Sequence, residues 1–172
     1  MRISLVDLLF SWPPNGGADV DLYNLATGLT HAGHDVQVVV VNDPDSWERG
    51  AIHNSQFSFS LLGVSGAGRH FHRKQLPRRI REAVDMWHPD VVLLGDGFLM
   101  KPYVGLALAD YPLVTRYYAY EMACLRDAFH YKDGAACPMH YLKTPDVCRA
   151  CALEHLGPEI KSGRPHAWTQ EY

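Results

Sequence analysis

The first 123 residues of this chain contain no cysteine; all four cysteines, Cys124, Cys137, Cys148 and Cys151, fall within the next 28 positions. The body of the chain therefore depends on an apolar core, and its 172 residues are enough for one domain with a sizeable one. No apolar run is long enough to span a bilayer, which excludes a membrane-crossing helix. Neither charge sign dominates: the net charge is −3 with the ten histidines neutral, so nothing drives the whole chain toward nucleic acid. The amino terminus, "MRISLVDLLF", lacks a small-residue cleavage site and runs into Trp12, Pro13 and Pro14. It reads as a first strand rather than a secretion signal, and the expected compartment is cytoplasmic. Internal repeats and low-complexity tracts are missing as well. What is present is a globular composition, 47% hydrophobic and 20% charged.

Residues Ile3 to Phe10 are almost continuously apolar, and so are Val36 to Val41 apart from Gln37. Such runs fit strands covered on both faces, as in a parallel sheet. Between them Leu22, Leu25, Ala26 and Leu29 fall at i, i+3, i+4 and i+7, a single helical stripe that Gly33 stops. Strand, glycine loop, helix, tight turn and strand make a βαβ unit. The alternation continues. Phe57, Phe59 and Leu61 predict a third strand, and Leu76, Ile80, Ala83, Val84 and Trp87 a helix. "HPDVVLLG" predicts a buried strand at Val91–Leu94, "KPYVGLALAD" a helix with Pro102 in its first turn, and "YPLVTRYY" a strand at Leu113–Tyr117. The fold class is α/β: a doubly wound, mostly parallel, Rossmann-like sheet. Asn42–Ser55 reads as a surface loop. From Glu121 onward strand signals vanish. Residues 1–120 are the expected Rossmann-like domain, and residues 121–172 a Cys-rich irregular insertion ending in a short helix near Ala152–Leu156.

Gly16 and Gly17 stand at the mouth of the first helix, although glycine is a poor helix former. Amides at a helix start lack intrahelical partners, and the helix dipole is positive there. Two positions without side chains leave that end open, permit unusual φ/ψ values and suit a phosphate. The loop also follows the carboxyl end of strand one, where open α/β sheets bind ligands. The plainer reading of the pair is a sharp strand-to-helix turn.

The stretch "NGGADVDLYNLATGLTHAGHDVQVV" resembles the amino-terminal signature of family 4 glycosyltransferases of the GT-B fold, in which a Gly-Gly loop precedes a helix reading "La..L...GH.V.vv". "HPDVVLLGDGF" and "YPLVTRYYAYE" resemble that family's fourth and fifth strands, so the likeness covers roughly two-thirds of the chain. The resemblance implies two Rossmann-like domains, with a sugar passing in the cleft from a nucleotide-sugar donor to a glycan or lipid-linked acceptor and no cofactor required. The amino-terminal domain would bind the acceptor, with Asn15, Arg116, Tyr117 and Glu121 as candidates; ordinary ion pairs are the plainer role for Arg116 and Glu121. Gly16 and Gly17 would admit the donor diphosphate, whose developing charge needs fixed positive dipoles. A histidine that the family often carries after strand five, in a "T.H" context, gives way here to Thr115, Arg116, Tyr117 and Tyr118. Asp96, after strand four, becomes the candidate catalytic base or acceptor contact, against a simple turn role before Gly97. The family's donor-side acidic pair, eight positions apart, has no counterpart before Tyr172. The expectation is an amino-terminal domain or fragment that is inactive alone, or a non-catalytic binding module pairing with a separately encoded donor domain.

Cys148 and Cys151 form a C-x2-C knuckle, and with Cys124 and Cys137 they can complete one tetrahedral zinc site; an iron–sulfur cluster uses the same donors. His130, His140 and His155 are reserve ligands. Buried free thiols, or two disulfides in an exported protein, are the alternatives; a redox pair fits less well, because the motif does not follow a first strand. The run "GRHFHRKQLPRRIRE", with Arg69, Arg73, Lys74, Arg78, Arg79 and Arg81, reads first as a solvated helix face and second as a peripheral membrane contact. Asp43, past strand two, allows a rival reading as a dinucleotide-binding oxidoreductase fragment, which the missing G-x-G-x-x-G fingerprint ranks lower.

Overall fold

In a computed structural model, which describes residues 1–41, 52–53, 56–64, 74–97, 100–118, 123–124, 130–141 and 143–161, the two apolar runs become neighbouring central strands. The chain divides into two units, Met1–Tyr118 and Ala119–Tyr172. The first contains β1 (Arg2–Asp7), α1 (Gly17–His31), β2 (Asp35–Val41), β3 (Ser60–Val64), α2 (Gln75–Trp87), β4 (Val91–Leu94), α3 (Lys101–Ala107) and β5 (Leu113–Thr115). All five strands pair in parallel in the order β3-β2-β1-β4-β5. The order reverses beside β1, so β1 and β4 flank the position where doubly wound sheets bind ligands.

The continuous apolar runs are explained by burial on both sides. Ile3, Leu5, Val36, Val38 and Val40 face one layer, where Leu22 and Ala26 of α1 pack. Val6, Val39, Val41, Val92 and Leu94 face the other, against Leu76, Ile80, Ala83 and Val84 of α2 and Val104 of α3. Each fully buried aliphatic side chain contributes about 1.5–3 kcal/mol. α1 ends as Gly33 predicts: Gly33 takes φ +85°, its amide donates to Thr30 and that of His34 to Leu29, closing a Schellman motif.

Some boundaries differ from those the sequence predicts, for local reasons. β1 stops at Asp7 rather than running to Phe10, because the Asp7 carboxylate accepts the Leu9 amide at 3.1 Å and turns the chain. The third strand begins at Ser60; Phe57 and Phe59 precede it, stacked on each other at 4.8 Å in an aromatic group. β5 ends at Thr115, two residues early, as Arg116 and Tyr117 turn toward polar partners.

The second unit is more regular than expected. Its described residues form an antiparallel hairpin, β6 (Tyr131–Lys132) and β7 (Ala135–Ala136), and a 17-residue helix, α4 (Pro145–Lys161). Asp133 and Gly134 both take positive φ between the strands, the conformation an Asp-Gly hairpin turn requires. Buried apolar residues are scarce here: among those described, Ala123 and Ala152. Among the described residues no helix is long and apolar enough to cross a membrane.

Candidate functional site

The mouth of α1 is open. Gly16 and Gly17 are exposed, and a Cβ at either position would meet no heavy atom within 4 Å. Gly16 is fully extended (φ −168°, ψ −177°), so the expected unusual backbone is not used there; what the pair supplies is the lack of side chains. The loop is shaped by Asp19, the third helical residue. Its buried carboxylate accepts the amides of Ser11 at 2.9 Å, Asn15 at 2.8 Å and Gly16 at 3.1 Å. Asn15 is thus held by its backbone beside the glycines. The first amides inside the helix, those of Gly17 and Ala18, have no acceptor within the helix by its geometry. They stand at the positive end of the helix dipole, with the Asp19 charge offsetting part of its pull.

At the switch point Asp7 is almost fully buried and ties β1 to β4. Its carboxylate accepts the Asp96 amide at 2.7 Å, while the Leu8 amide donates to the Asp96 carbonyl at 2.7 Å. Burial pushes the Asp7 carboxyl up to about 8, against the hydrogen bonds from Asp96 and Leu9, which pull it down. Gly95 is glycine because a Cβ there would sit 2.5 Å from the Asp7 carboxylate; at Gly97 it would sit 2.9 Å from Lys101 Cβ. Asp96 is therefore fixed by its backbone, half-buried, at the carboxyl edge of the sheet.

Beyond β5 the side chains converge on α1. Arg116 Nη2 lies 2.6 Å from Asp21, whose other oxygen accepts the Tyr118 hydroxyl at 2.7 Å. Burial first, and the Asp21 hydrogen bond second, drive the Tyr118 hydroxyl far above the ordinary phenol range. Tyr117 is exposed, with Lys101 Nζ 4.8 Å from its ring centre; Lys101 itself is buried and donates to the Arg116 carbonyl at 3.1 Å. On the far side of the glycine loop, Trp12 stacks on Tyr23 at 4.3 Å beside Phe10 and Phe57.

Of the predicted residues, Asn15, Gly16 and Gly17 share one loop, Arg116 joins the second turn of α1 through Asp21, and Asp96 sits at the switch point. Glu121, Asp43, Arg69 and Arg73 lie outside the described residues. Arg81, counted with the basic run, is consumed within the fold: it pairs with Asp85 and Asp110 and donates to the Ala107 carbonyl at 3.0 Å. Arg78 pairs with Glu82 at 3.3 Å. Sequence reasoning missed Asp7, Asp19, Asp21, Lys101 and Tyr118. Only Asp19 carried a signal, an acid three residues past the helix cap.

In the second unit the four cysteines carry no disulfide and all line one cavity of about 60 Å³, together with His130 and Lys132.

The family model described as Glycosyltransferase Family 4 matches residues 15–143. No curated protein matches the chain. Among solved structures the chain is similar to sucrose-phosphate synthase from Thermosynechococcus elongatus, at 12% identity and a TM-score of 0.46, over 67% of this chain and 32% of that one. The chain thus spans about a third of the length of that structure.

Proposed function

This chain belongs to glycosyltransferase family 4, and from that premise we propose that it is the acceptor-side, amino-terminal domain of an enzyme moving a sugar from a nucleotide-sugar donor to a glycan or lipid-linked acceptor. The observation that carries the reading is the exposed, side-chain-free entrance of α1 at the carboxyl edge of a parallel sheet. The amides of Gly17 and Ala18 meet the donor diphosphate as negative charge grows on it during bond cleavage, a stabilisation that needs no reorientation of the donors. Asp96, Arg116 and Tyr117 line the acceptor side along the same sheet edge. The nucleotide is held by a second domain, encoded with this one or separately, so that this chain alone binds nucleotide sugar weakly and transfers little. Lys74, exposed at the start of α2 beside the Arg78–Glu82 pair, supplies a positive charge for an acceptor embedded in anionic lipid.

The test is transfer of labelled sugar, from a panel of nucleotide sugars, by the full gene product or by this chain mixed with a separately encoded donor domain. Gly17→Val is the informative variant. The space around its Cβ is empty, so the fold persists while the entrance narrows. We expect kcat/KM to fall on the order of tenfold or more, approaching the loss seen when one oxyanion donor is removed. Full activity in a folded Gly17→Val protein rejects the diphosphate role, and transfer from no nucleotide sugar rejects the function.

A further inference from the structure

The four cysteines line one cavity from three separate pieces of chain, which backbone hydrogen bonds such as that from the Tyr141 amide to the Ala123 carbonyl at 2.8 Å also join. Cys124 follows the buried Ala123. Cys137 comes directly off the hairpin, its amide donating to the His130 carbonyl at 3.0 Å across the open end of β6 and β7. Cys148 and Cys151 sit in the first two turns of α4, with Thr144 placed ahead of Cys148: its carbonyl accepts the Cys148 amide at 3.1 Å and its hydroxyl lies 3.6 Å from the sulfur. Sequence separations from 3 to 27 residues thus collapse onto about 60 Å³ of space. Hydrophobic burial does not explain the convergence, since the described part of this unit buries only Ala123 and Ala152 among its apolar side chains. A metal or a cross-link is the common way for a small unit with so few buried apolar side chains to hold a fixed shape.

We propose that Cys124, Cys137, Cys148 and Cys151 bind one tetrahedral zinc ion that holds the hairpin, α4 and the preceding segment together. The donor set fits zinc: four thiolates, two of them at the C-x2-C spacing, with no position left for water, as in structural sites. His130 is not a fifth candidate, because its Nε2 is already engaged by the Met139 carbonyl. Four thiolates around a divalent ion leave two negative charges. Lys132 on the cavity wall and the positive amino-terminal end of α4 offset them. Binding exchanges four S–H protons for four Zn–S bonds, and the protons leave to solvent without any change of oxidation state. Among the described residues no three His, Cys, Asp or Glu side chains yet stand at ligating distance of a common point. Zinc binding therefore requires the sulfurs to approach one another more closely than they stand here.

The experiment is metal analysis of the full chain purified without chelator, followed by titration of the apo-protein with cobalt. We expect one equivalent of zinc per chain, and on cobalt the sulfur-to-metal charge-transfer absorption and intense visible bands of a tetrahedral four-sulfur site. Cys148→Ser/Cys151→Ser should lose the equivalent, and His130→Ala should keep both stoichiometry and spectrum. Four titratable thiols in wild-type protein that binds neither metal overturn the proposal. So do two disulfides by mass, acid-labile sulfide from an iron–sulfur cluster, or a cobalt spectrum of mixed nitrogen and sulfur donors that His130→Ala abolishes. None of these readouts depends on sugar transfer.

Discussion

From Met1 to Tyr118 the chain is held by two apolar layers on a shared sheet, with Leu5, Val6, Val38 and Val39 wholly removed from solvent. From Ala119 to Tyr172 the described residues offer two buried alanines and four thiols around one cavity. The contrast shows two ways of fixing a backbone. In the first unit the fold follows from where water is excluded, so stability is spread over many side chains. In the second, if the four thiols hold zinc as proposed, it is concentrated in a few side chains, and a chemical change at any one of them reaches the whole unit.

Chelating the proposed zinc is the sharpest way to break that comparison. Chelation should leave the amides of β1, β2 and β4 protected from hydrogen exchange while those of β6, β7 and α4 exchange within the dead time of the measurement. Loss of protection in both units, or in neither, would remove the distinction. Leu5→Ala attacks the other unit. Leu5 is fully buried between Val38 on β2 and Leu93 on β4, so truncation should cost about 2–5 kcal/mol in a urea titration followed by exchange of the β1 and β2 amides. The α4 amides should keep their midpoint; a matching shift would mean that the two regions melt as one.

Asp7 supplies a pH-dependent effect with a definite sign. The unfolded carboxyl titrates near 3.8 and the folded one at about 8, because burial opposes its charge. Between those values the folded state holds the extra proton. The stability of the first unit is therefore highest below the lower value and falls as pH rises toward the upper one, by on the order of 1 kcal/mol per pH unit. Asp7→Asn, which carries no titrating group, should flatten the profile between pH 4 and pH 8 by equilibrium denaturation, at a fixed cost of roughly 1–3 kcal/mol because the amide nitrogen cannot accept from Leu9 or Asp96. A wild-type curve that rises over the same range contradicts the buried, protonated carboxyl.

Asp7 also marks the boundary of what the sequence could reveal. Runs such as Val36–Val41 betray themselves locally, because burial on both faces demands apolar residues at every position. The stop at Gly33 was legible for the same reason: its positive φ needs a particular residue type at one place in the chain. The polar ties were not. Asp7 meets Asp96 across 89 residues and Asp21 meets Arg116 across 95, and nothing in either neighbourhood names the partner. The hairpin was a different kind of miss. Its Asp133-Gly134 turn is a local signal, but strands of two residues carry too little alternation to be seen. Helix α4 was foreseen only near Ala152–Leu156; its apolar residues form no single face, so periodicity understated its 17 residues.

The smallest predicted effect concerns the tie between Asp21 and Arg116. Their side chains are 34% and 41% exposed, so water competes for the pair, and its 2.6 Å contact should contribute no more than about 1 kcal/mol to stability. Its position matters more than its strength, because it fixes the end of β5 against α1 two turns or less from the glycine entrance. Asp21→Ala should therefore shift the thermal midpoint of the first unit only slightly, yet free Arg116 and the Tyr118 hydroxyl from their shared acceptor. In a sugar-transfer assay of the complete enzyme, the acceptor KM should move by several-fold while the donor KM stays put, the signature of an edge disordered rather than a fold weakened. If instead Asp21→Ala destabilised the unit as much as Leu5→Ala, the first unit would depend on a polar clip much as the second does, and burial would lose its place as the difference between them.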